Sequence, residues 1–241
     1  MYVCNAKMDT FWVEFQNNQW VLTESEWKHC FRVMRKKPGD SIRCIDGKGT
    51  VFTTLLHAHS LRLGAALEPL FIQTPQLRSY AFELIIAPTK SADKMEWLLE
   101  KAIETGVDSI TFLITQRTQR NALKWERLQK IARAALKQSN QTVLPSMQLL
   151  TWENWLSNPI QGTPFFAFCG EASKPAECVP FVQSESVCVA VGPEGDFTDL
   201  EIQTLVERGF QPLSFGEQRL RTETAALYAV TAKHVLSATP S

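Results

Sequence analysis

The spacing of apolar and polar residues divides the chain into two regions. Up to about residue 73, short β-rich or alternating stretches such as FWVEF, SIRCID, VFTTLLHAHS and AALEPLFI are separated by turn signals at Pro38–Asp40 and Asp46–Gly49. One helical turn is predicted at Glu24–Met34. This region therefore predicts a small β-barrel or sandwich.

After the polar stretch Gln73–Ser79, segments with strand and helix periodicity alternate. AFELIIAP predicts a buried strand, ADKMEWLLEKAIETG predicts a helix, and Thr198 with Glu201 has the form of a capping box that opens another helix. The other predicted strands are SITFLIT, SMQLL, FFAFCG, VCVAV and PLSF, and the other predicted helices are 121–139, TWENWL and TETAALYAVTAKHVL. We therefore expect a first domain over residues 1–73, followed over residues 74–241 by an α/β domain with a mostly parallel sheet.

Three glycine-bearing loops follow predicted strands in the last third of the chain. They are Cys169-Gly170-Glu171, Gly192-Pro193-Glu194-Gly195 and Ser214-Phe215-Gly216. Because ligands of open parallel sheets bind beyond the carboxyl ends of the strands, these loops predict one pocket lined by backbone. The carboxylates of Glu194, Asp196 and Asp199 disfavour a phosphate and favour a cationic or zwitterionic ligand. A tight turn before a capped helix explains the GPEG sequence equally well.

The composition is that of an ordinary globular protein. The 241 residues are 44% hydrophobic and 21% charged, with zero net charge. The longest apolar runs are too short to cross a bilayer and the first residues lack the features of a secretory signal, so we expect no membrane partner and a cytoplasmic location. The six cysteines form no CxxC pair, and His57 and His59, two apart in a predicted strand, have no third ligand, so no metal is expected.

The zero net charge hides a local excess of basic residues. Between Gln119 and Gln141 stand six lysines and arginines and a single acid, Glu126, at helical spacings. A second basic cluster lies in HCFRVMRKKPGD. These clusters are either solvated faces or binding surfaces for a polyanion such as RNA.

Two arginines, Arg219 and Arg221, precede the last predicted helix. Thr222 is placed to cap that helix, and Glu223 meets the positive end of its dipole. The same dipole disfavours cations at this end, so capping does not explain the arginines. They indicate an anionic partner or buried ion pairs.

Five motifs of the chain occur in the order and spacing of a known family. They are HCFRVMRKKPGD, LEKAIETGVDSITFLITQRT, ARAALKQSN, VGPEGDFTDLEI and RLRTETA. Over nearly its whole length the chain resembles the RsmE-type methyltransferases, SPOUT-class enzymes that use S-adenosylmethionine to methylate N3 of a uridine in 16S rRNA of the small ribosomal subunit. The resemblance implies an α/β domain with a deep trefoil knot, a preceding PUA-like β-barrel that binds RNA, and a homodimer.

The resemblance and the residue chemistry together give three sets of candidate site residues. The cofactor pocket is predicted to comprise Cys169, Gly170, Val191, Gly192, Pro193, Glu194, Gly195, Leu213, Ser214, Phe215, Gly216 and Leu220. The predicted contacts to the RNA backbone are Arg32, Arg35, Arg117, Arg120, Lys124 and Arg127. For catalysis, Arg221 with Arg219 is expected to stabilise negative charge on the uracil oxygens, and Glu223 to orient the arginines or accept the N3 proton.

The chain departs from the family pattern at three positions. Asp196 stands where relatives often have glycine, and Gln141 and Gln218 stand where many have arginine. Two alternatives to uridine-N3 methylation stay open. One is methylation of another RNA atom, such as a ribose 2′-hydroxyl, and the other is an RNA-binding protein without catalysis.

Overall fold

The computed structural model describes residues 8–73, 78–120, 122–169 and 174–238. The chain forms two compact units. The first comprises Met1–Leu77 and Leu136–Leu144, and the second comprises Arg78–Ala135 and Pro145–Ser241. The predicted division after residue 73 is close to the end of the first range, but no sequence signal indicated that Leu136–Leu144 belongs to the first unit.

The first unit is built on a five-stranded sheet with the order β2-β1-β3-β4-β5. The strands are β1 Thr10–Gln16, β2 Gln19–Leu22, β3 Ser41–Ile45, β4 Val51–Leu55 and β5 Phe71–Gln73. Strands β1 and β3 are parallel, and the other pairs are antiparallel. An antiparallel bridge between Trp20 of β2 and Leu67, just before β5, brings the two edges of the sheet together and gives a barrel-like closure. Its core includes Phe11, Ile42, Cys44, Phe52 and Leu56.

Strand β2 was not predicted, although its hairpin turn has a sequence signal. Asn17 and Asn18 have φ values of 48° and 62°, as a two-residue hairpin turn of the primed type requires. The helical segment predicted at Glu24–Met34 is present, as helix α1 (Glu24–Lys28) followed by a π-helical turn over His29–Val33.

The predicted strand VFTTLLHAHS is wrong in its second half. Strand β4 ends at Leu55, and Ala58–Leu61 forms a 3-10 helix, at the start of which the Ser60 hydroxyl accepts a hydrogen bond from the His57 backbone amide at 3.1 Å. The rings of His57 and His59 stack, with centroids 5.5 Å apart. In the described ranges, no group of three or more His, Cys, Asp or Glu side chains is placed to hold a metal ion.

The segment Leu136–Leu144 packs into the first unit through backbone and side-chain contacts. Val143 bridges Lys48, the Leu144 amide donates to the Gly47 carbonyl at 2.8 Å, and the Gly49 amide donates to the Thr142 carbonyl at 3.1 Å. Lys137 Nζ also lies 2.6 Å from Glu26 Oε1. The turn between β3 and β4 therefore pairs with chain that is remote in sequence.

The second unit contains a six-stranded sheet in which every neighbouring pair is parallel. Its strands are β6 Ala81–Ile86, β7 Ser109–Ile114, β8 Ser146–Thr151, β9 Thr163–Ala167, β10 Ser186–Val191 and β11 Gln211–Leu213, in the order β11-β9-β10-β6-β7-β8. The helices of this region are α2 Ala92–Thr105, α3 Trp125–Gln138, α4 Trp152–Leu156, α5 Val179–Gln183, α6 Asp199–Glu207 and α7 Thr222–Ala238. The predicted α/β class is confirmed, and α5 was not predicted. Within the described ranges, no helix is long and apolar enough to cross a membrane.

Local signals account for some of the helix ends in this unit. Gly106 ends α2 with a φ of 110°, a left-handed conformation that glycine adopts without strain. Thr198 and Glu201 form the predicted capping box at the start of α6. The capping role predicted for Thr222 is wrong, because Thr222 is already the first residue of α7. The carbonyl of Arg221 accepts the hydrogen bond from the Ala225 amide at 2.8 Å, so Arg221 occupies the cap position.

Lys233 of α7 is a buried cation with an exposed fraction of 1%. Its Nζ donates to the carbonyls of Phe181, Val182 and Ser184 at 2.9, 3.0 and 2.8 Å, at the carboxyl end of α5. Burial lowers the pKa of Lys233. The ammonium group thus satisfies three carbonyls that α5 leaves without donors.

Replacing Lys233 by methionine should lower the free energy of unfolding by about 3 kcal/mol, because it leaves buried carbonyls without a donor. Denaturant unfolding of the full chain measures this change. Thr231 is exposed on the same helix, and Thr231→Met should change the unfolding free energy by less than about 0.5 kcal/mol. Equal stability of the two variants would contradict the role given to Lys233.

Candidate functional site

The three loops predicted to form one pocket follow neighbouring strands of the sheet. Strands β11, β9 and β10 are adjacent and parallel, so their carboxyl ends lie side by side. A cavity of about 300 Å³ lies at these ends, and a second of about 280 Å³ adjoins it. The two cavities share the lining residues Ala167, Cys169, Asp196, Arg219, Leu220 and Ala225.

The turn after β10 forms one wall of the first cavity. Val191, Gly192 and Pro193 are buried there, and Glu194 is exposed. A Cβ atom on Gly192 would lie 3.1 Å from the Phe197 nitrogen and 3.2 Å from Asp196 Oδ1, so a side chain at this position would crowd the turn. The chain therefore favours glycine here, because a side chain at residue 192 would need Asp196 and Phe197 to shift by a few tenths of an ångström.

The chain after β6 also contributes to the cavity, which the sequence analysis missed. The Lys90 amide donates to Glu194 Oε1 at 2.9 Å, and Lys94, in the first turn of α2, lines the cavity. Strand β6 pairs with β10, so the ends of the two strands are adjacent. Only the strand order reveals this neighbour, because Lys90 and Lys94 are far from the other site residues in sequence.

Asp196 has a φ of 64°, in the left-handed region that favours glycine. Aspartate tolerates this region better than most residues, because its short side chain bonds to nearby backbone. Here Asp196 Oδ1 accepts the hydrogen bond of the Phe197 amide at 2.8 Å. The aspartate at this position is thus accommodated, and it places a carboxylate at the junction of the two cavities.

The three predicted catalytic residues all line the first cavity. Arg219 and Arg221 are exposed, whereas Glu223 is 6% exposed. Glu223 Oε1 forms an ion pair with Lys94 Nζ at 2.9 Å. The Glu223 carboxylate therefore pairs with Lys94, a residue outside the predicted set.

The predicted cofactor residues divide between the cavities. Cys169, Val191, Gly192, Pro193, Glu194 and Leu220 line the first, and Phe215 and Gly216 line the second together with Cys169 and Leu220. Leu213 and Ser214 are buried, with 0% and 9% exposed, and Gly195 is exposed. None of these three is among the lining residues of either cavity. The predicted contact at Gly170 lies outside the described residues.

The predicted RNA-contacting residues have different surroundings. Arg32 and Arg35 are exposed in the first unit, where the Arg32 guanidinium lies 5.5 Å from the centroid of the Trp27 ring. Lys124 is exposed and Arg120 is half-buried in the second unit.

Arg127 and Arg117 contact protein groups of the second unit. Arg127 Nε is 2.5 Å from Glu96 Oε1, and this hydrogen bond raises the pKa of Arg127. Arg117 Nη1 donates to the carbonyls of Gly195 and Phe197 at 2.8 and 3.3 Å. These two side chains are therefore engaged within the protein.

Two known protein families match different parts of the chain. Residues 77–234 match the RNA methyltransferase domain family, and residues 22–56 match the RNA methyltransferase PUA domain family. The fold and the cavity thus belong to an RNA methyltransferase domain that follows a PUA domain.

Individual relatives cover most of the chain. It is 27% identical over 226 residues to ribosomal RNA small subunit methyltransferase E of Bacillus subtilis strain 168, covering 88% of each protein. A probable rRNA-methyltransferase from Porphyromonas gingivalis is 31% identical with a TM-score of 0.84, covering 96% of this chain and 99% of that one. Ribosomal RNA small subunit methyltransferase E from Neisseria gonorrhoeae, solved bound to S-adenosyl methionine, is 29% identical with a TM-score of 0.82, covering 95% and 98%. The chain belongs to the RsmE family of SPOUT-type RNA methyltransferases.

Proposed function

We propose that this protein uses S-adenosylmethionine to methylate N3 of a uridine in 16S rRNA of the small ribosomal subunit. The observation that carries the proposal is the cavity at the ends of β9, β10 and β11, which combines a glycine-containing backbone wall with Arg219, Arg221 and Glu223. The Bacillus subtilis relative is named for the small-subunit rRNA, and the Neisseria gonorrhoeae structure contains S-adenosyl methionine. Both findings support the same cofactor and substrate class for this chain.

The residues of the two cavities fit S-adenosylmethionine. Each cavity approaches the lower end of the size range of small-ligand sites, and the two adjoin. Residues Val191–Pro193 and the Phe215–Gly216 turn offer backbone groups for a polar, neutral adenosine. The carboxylates of Glu194 and Asp196 suit a ligand that carries positive charge. These groups would hold the cofactor, which supplies an electrophilic methyl group when bound.

In the proposed mechanism, Arg219, Arg221 and Glu223 promote the loss of the proton from N3 of the uridine. N3 of uridine carries a proton, and its loss leaves negative charge shared with the uracil oxygens. The guanidinium of Arg221, assisted by Arg219, donates to these oxygens and stabilises that charge. Glu223 accepts the N3 proton, and Lys94 holds the Glu223 carboxylate in place at 2.9 Å. Orientation of the uracil in the cavity supplies the rest of the rate enhancement.

The test is to map the methyl group on the RNA. Purified protein with S-adenosylmethionine should methylate small subunits from a bacterium that lacks its own RsmE-type enzyme. Nuclease digestion and mass spectrometry, with 3-methyluridine and 2′-O-methyluridine standards, identify the modified atom, and protein without cofactor is the control. Methyl groups on ribose would replace this proposal with the 2′-hydroxyl alternative, and no cofactor binding would leave a non-catalytic RNA-binding protein.

RNA binding is proposed to use cations of both units. They are the exposed Arg32 and Arg35 in the first unit, and the half-buried Arg120 with the exposed Lys124 and Arg127 in the second. The double variant Arg120→Gln/Lys124→Gln should reduce the salt dependence of RNA binding by about two units of log K per log salt, since each lost phosphate contact removes about one. Arg127→Gln should have a smaller effect because Glu96 already pairs with Arg127.

Titration of RNA at several salt concentrations measures these slopes. Lys28→Gln is the control. Lys28 Nζ lies 2.5 Å from Glu24 Oε1 in helix α1, so this charge is already neutralised and its loss should leave the slope nearly unchanged. An unchanged slope in the double variant would contradict the proposed contacts.

The proposal also includes a knotted chain, a homodimer and a cytoplasmic location. Strand β10 lies between β9 and β6, both formed earlier in the chain, so the chain returns to the middle of the sheet, as a knotted chain of this family would. Trp97 of α2 and Tyr228 and Val235 of α7 are exposed, and they supply an apolar surface for a second copy. Because the proposed substrate is ribosomal, we also propose a cytoplasmic location.

A further inference from the structure

Arg117 joins two loops of the second unit that follow different strands. It lies just after β7, and its Nη1 donates to the carbonyls of Gly195 and Phe197 in the turn after β10. Strand β6 lies between β7 and β10 in the sheet, so this contact spans the carboxyl end of a whole strand. A charged donor on two carbonyls makes a stronger bond than a neutral one.

A second contact connects the same two loops next to the first. The backbone amide of Gln116 donates to Glu201 Oε1 at 2.9 Å, and Glu201 is only 5% exposed. The other carboxylate oxygen of Glu201 accepts from the Thr198 amide at 2.7 Å in the capping box. The loop after β7 therefore contacts the turn after β10 directly and contacts the start of α6 through Glu201.

The turn that Arg117 contacts is the wall of the cavity. The two carbonyls that Arg117 binds flank Asp196, the residue with a φ of 64°. Aspartate in this conformation costs backbone strain that neighbouring contacts must offset. A guanidinium that binds the carbonyls on both sides stabilises this conformation, and with it the placement of Pro193, Glu194 and Asp196 in the cavity wall.

We infer that Arg117 is a positioning residue of the cofactor cavity and not a contact to RNA. It holds the turn after β10 in its cavity-forming conformation before RNA arrives. This inference rests on the proposed function for the identity of the cofactor. The claim that Arg117 stabilises the turn after β10 concerns the free protein and does not depend on which cofactor is bound.

The experiment compares the full-length variants Arg117→Ala, Arg117→Lys and Arg120→Ala with the wild type. Isothermal titration with S-adenosylmethionine, without RNA, should give at least about tenfold weaker binding for Arg117→Ala, the effect of one lost charge-assisted hydrogen bond. Arg117→Lys should recover part of this loss, because its ammonium group also donates to carbonyls. Arg120→Ala removes a cation of the same loop and should bind the cofactor within about twofold of wild type.

Two further measurements separate positioning from RNA contact. In the free protein, amide hydrogen exchange over residues 192–198 should be faster in Arg117→Ala than in Arg120→Ala, because the turn has lost its hold. The salt dependence of RNA binding should decrease in Arg120→Ala and stay at the wild-type slope in Arg117→Ala.

Wild-type exchange and cofactor affinity in Arg117→Ala, together with a reduced salt slope, would overturn the inference and return Arg117 to the RNA contacts. If the wild type itself does not bind S-adenosylmethionine, the proposed function fails. The exchange measurement then still decides whether Arg117 holds the turn.

Discussion

Replacement of Arg221 by alanine should lower kcat for uridine methylation by about 100- to 1,000-fold, the effect of removing one donor from a site that stabilises developing negative charge. Arg221 is exposed in the cavity, and only its backbone carbonyl is used to start α7. The substitution should therefore leave the fold intact. Because the lost interaction forms as N3 loses its proton, KM for the RNA should change much less than kcat.

Single-turnover kinetics with saturating cofactor measures this loss. Arg221→Lys keeps the charge without the planar pair of donors and should recover only part of the rate. Arg219→Ala, at a position that also lines the cavity, should lose less than Arg221→Ala. A rate for Arg221→Ala close to that of the wild type would remove Arg221 from the mechanism.

Glu223→Gln should reduce kcat by about 100-fold, the usual contribution of a positioned general base. In the wild type, Lys94 Nζ lies 2.9 Å from Glu223 Oε1. Glutamine has the shape of glutamate and can still accept this hydrogen bond, but it cannot take up a proton. Glu223 is 6% exposed at the amino end of α7, so the loss of its charge should also cost about 1 kcal/mol of stability.

Thermal unfolding separates the structural effect from the catalytic one. Thr224→Ala changes an exposed neighbour in the same helical turn and should retain nearly the wild-type rate. If Glu223→Gln keeps nearly full activity while Glu223→Ala does not, the carboxylate orients its neighbours and does not accept the proton.

Much of the fold could be predicted because its signals are local. The glycine that ends α2 and the capping box that opens α6 are each contained in a few consecutive residues. Helix α5 was missed because its five residues include a proline at the start and no periodic pattern. The end of strand β4 was misplaced because the two histidines continue the alternation of that strand, whereas the chain turns into a 3-10 helix.

The site was predictable in part, for a different reason. Because ligand loops follow the carboxyl ends of parallel strands, three glycine-bearing loops could be grouped without the strand order. Lys94 and Arg117 could not be assigned in this way, since their partners Glu223 and Gly195 are brought near only by the sheet order. The sequence shows that a residue is basic. Only the structure shows whether its side chain is bonded to other protein groups or is available to bind RNA.

The Leu136–Leu144 segment has a consequence for how the protein is synthesised. The first unit pairs the turn between β3 and β4 with Thr142–Leu144, so it lacks part of its contacts until those residues leave the ribosome. Domains usually fold from the amino terminus as they are made, at about 5–20 residues per second. Here the amino-terminal unit cannot complete its contacts until β6 and β7 of the second unit have been translated. A nascent chain halted before residue 136 should therefore remain more sensitive to proteases within its first 77 residues than one halted well beyond residue 144.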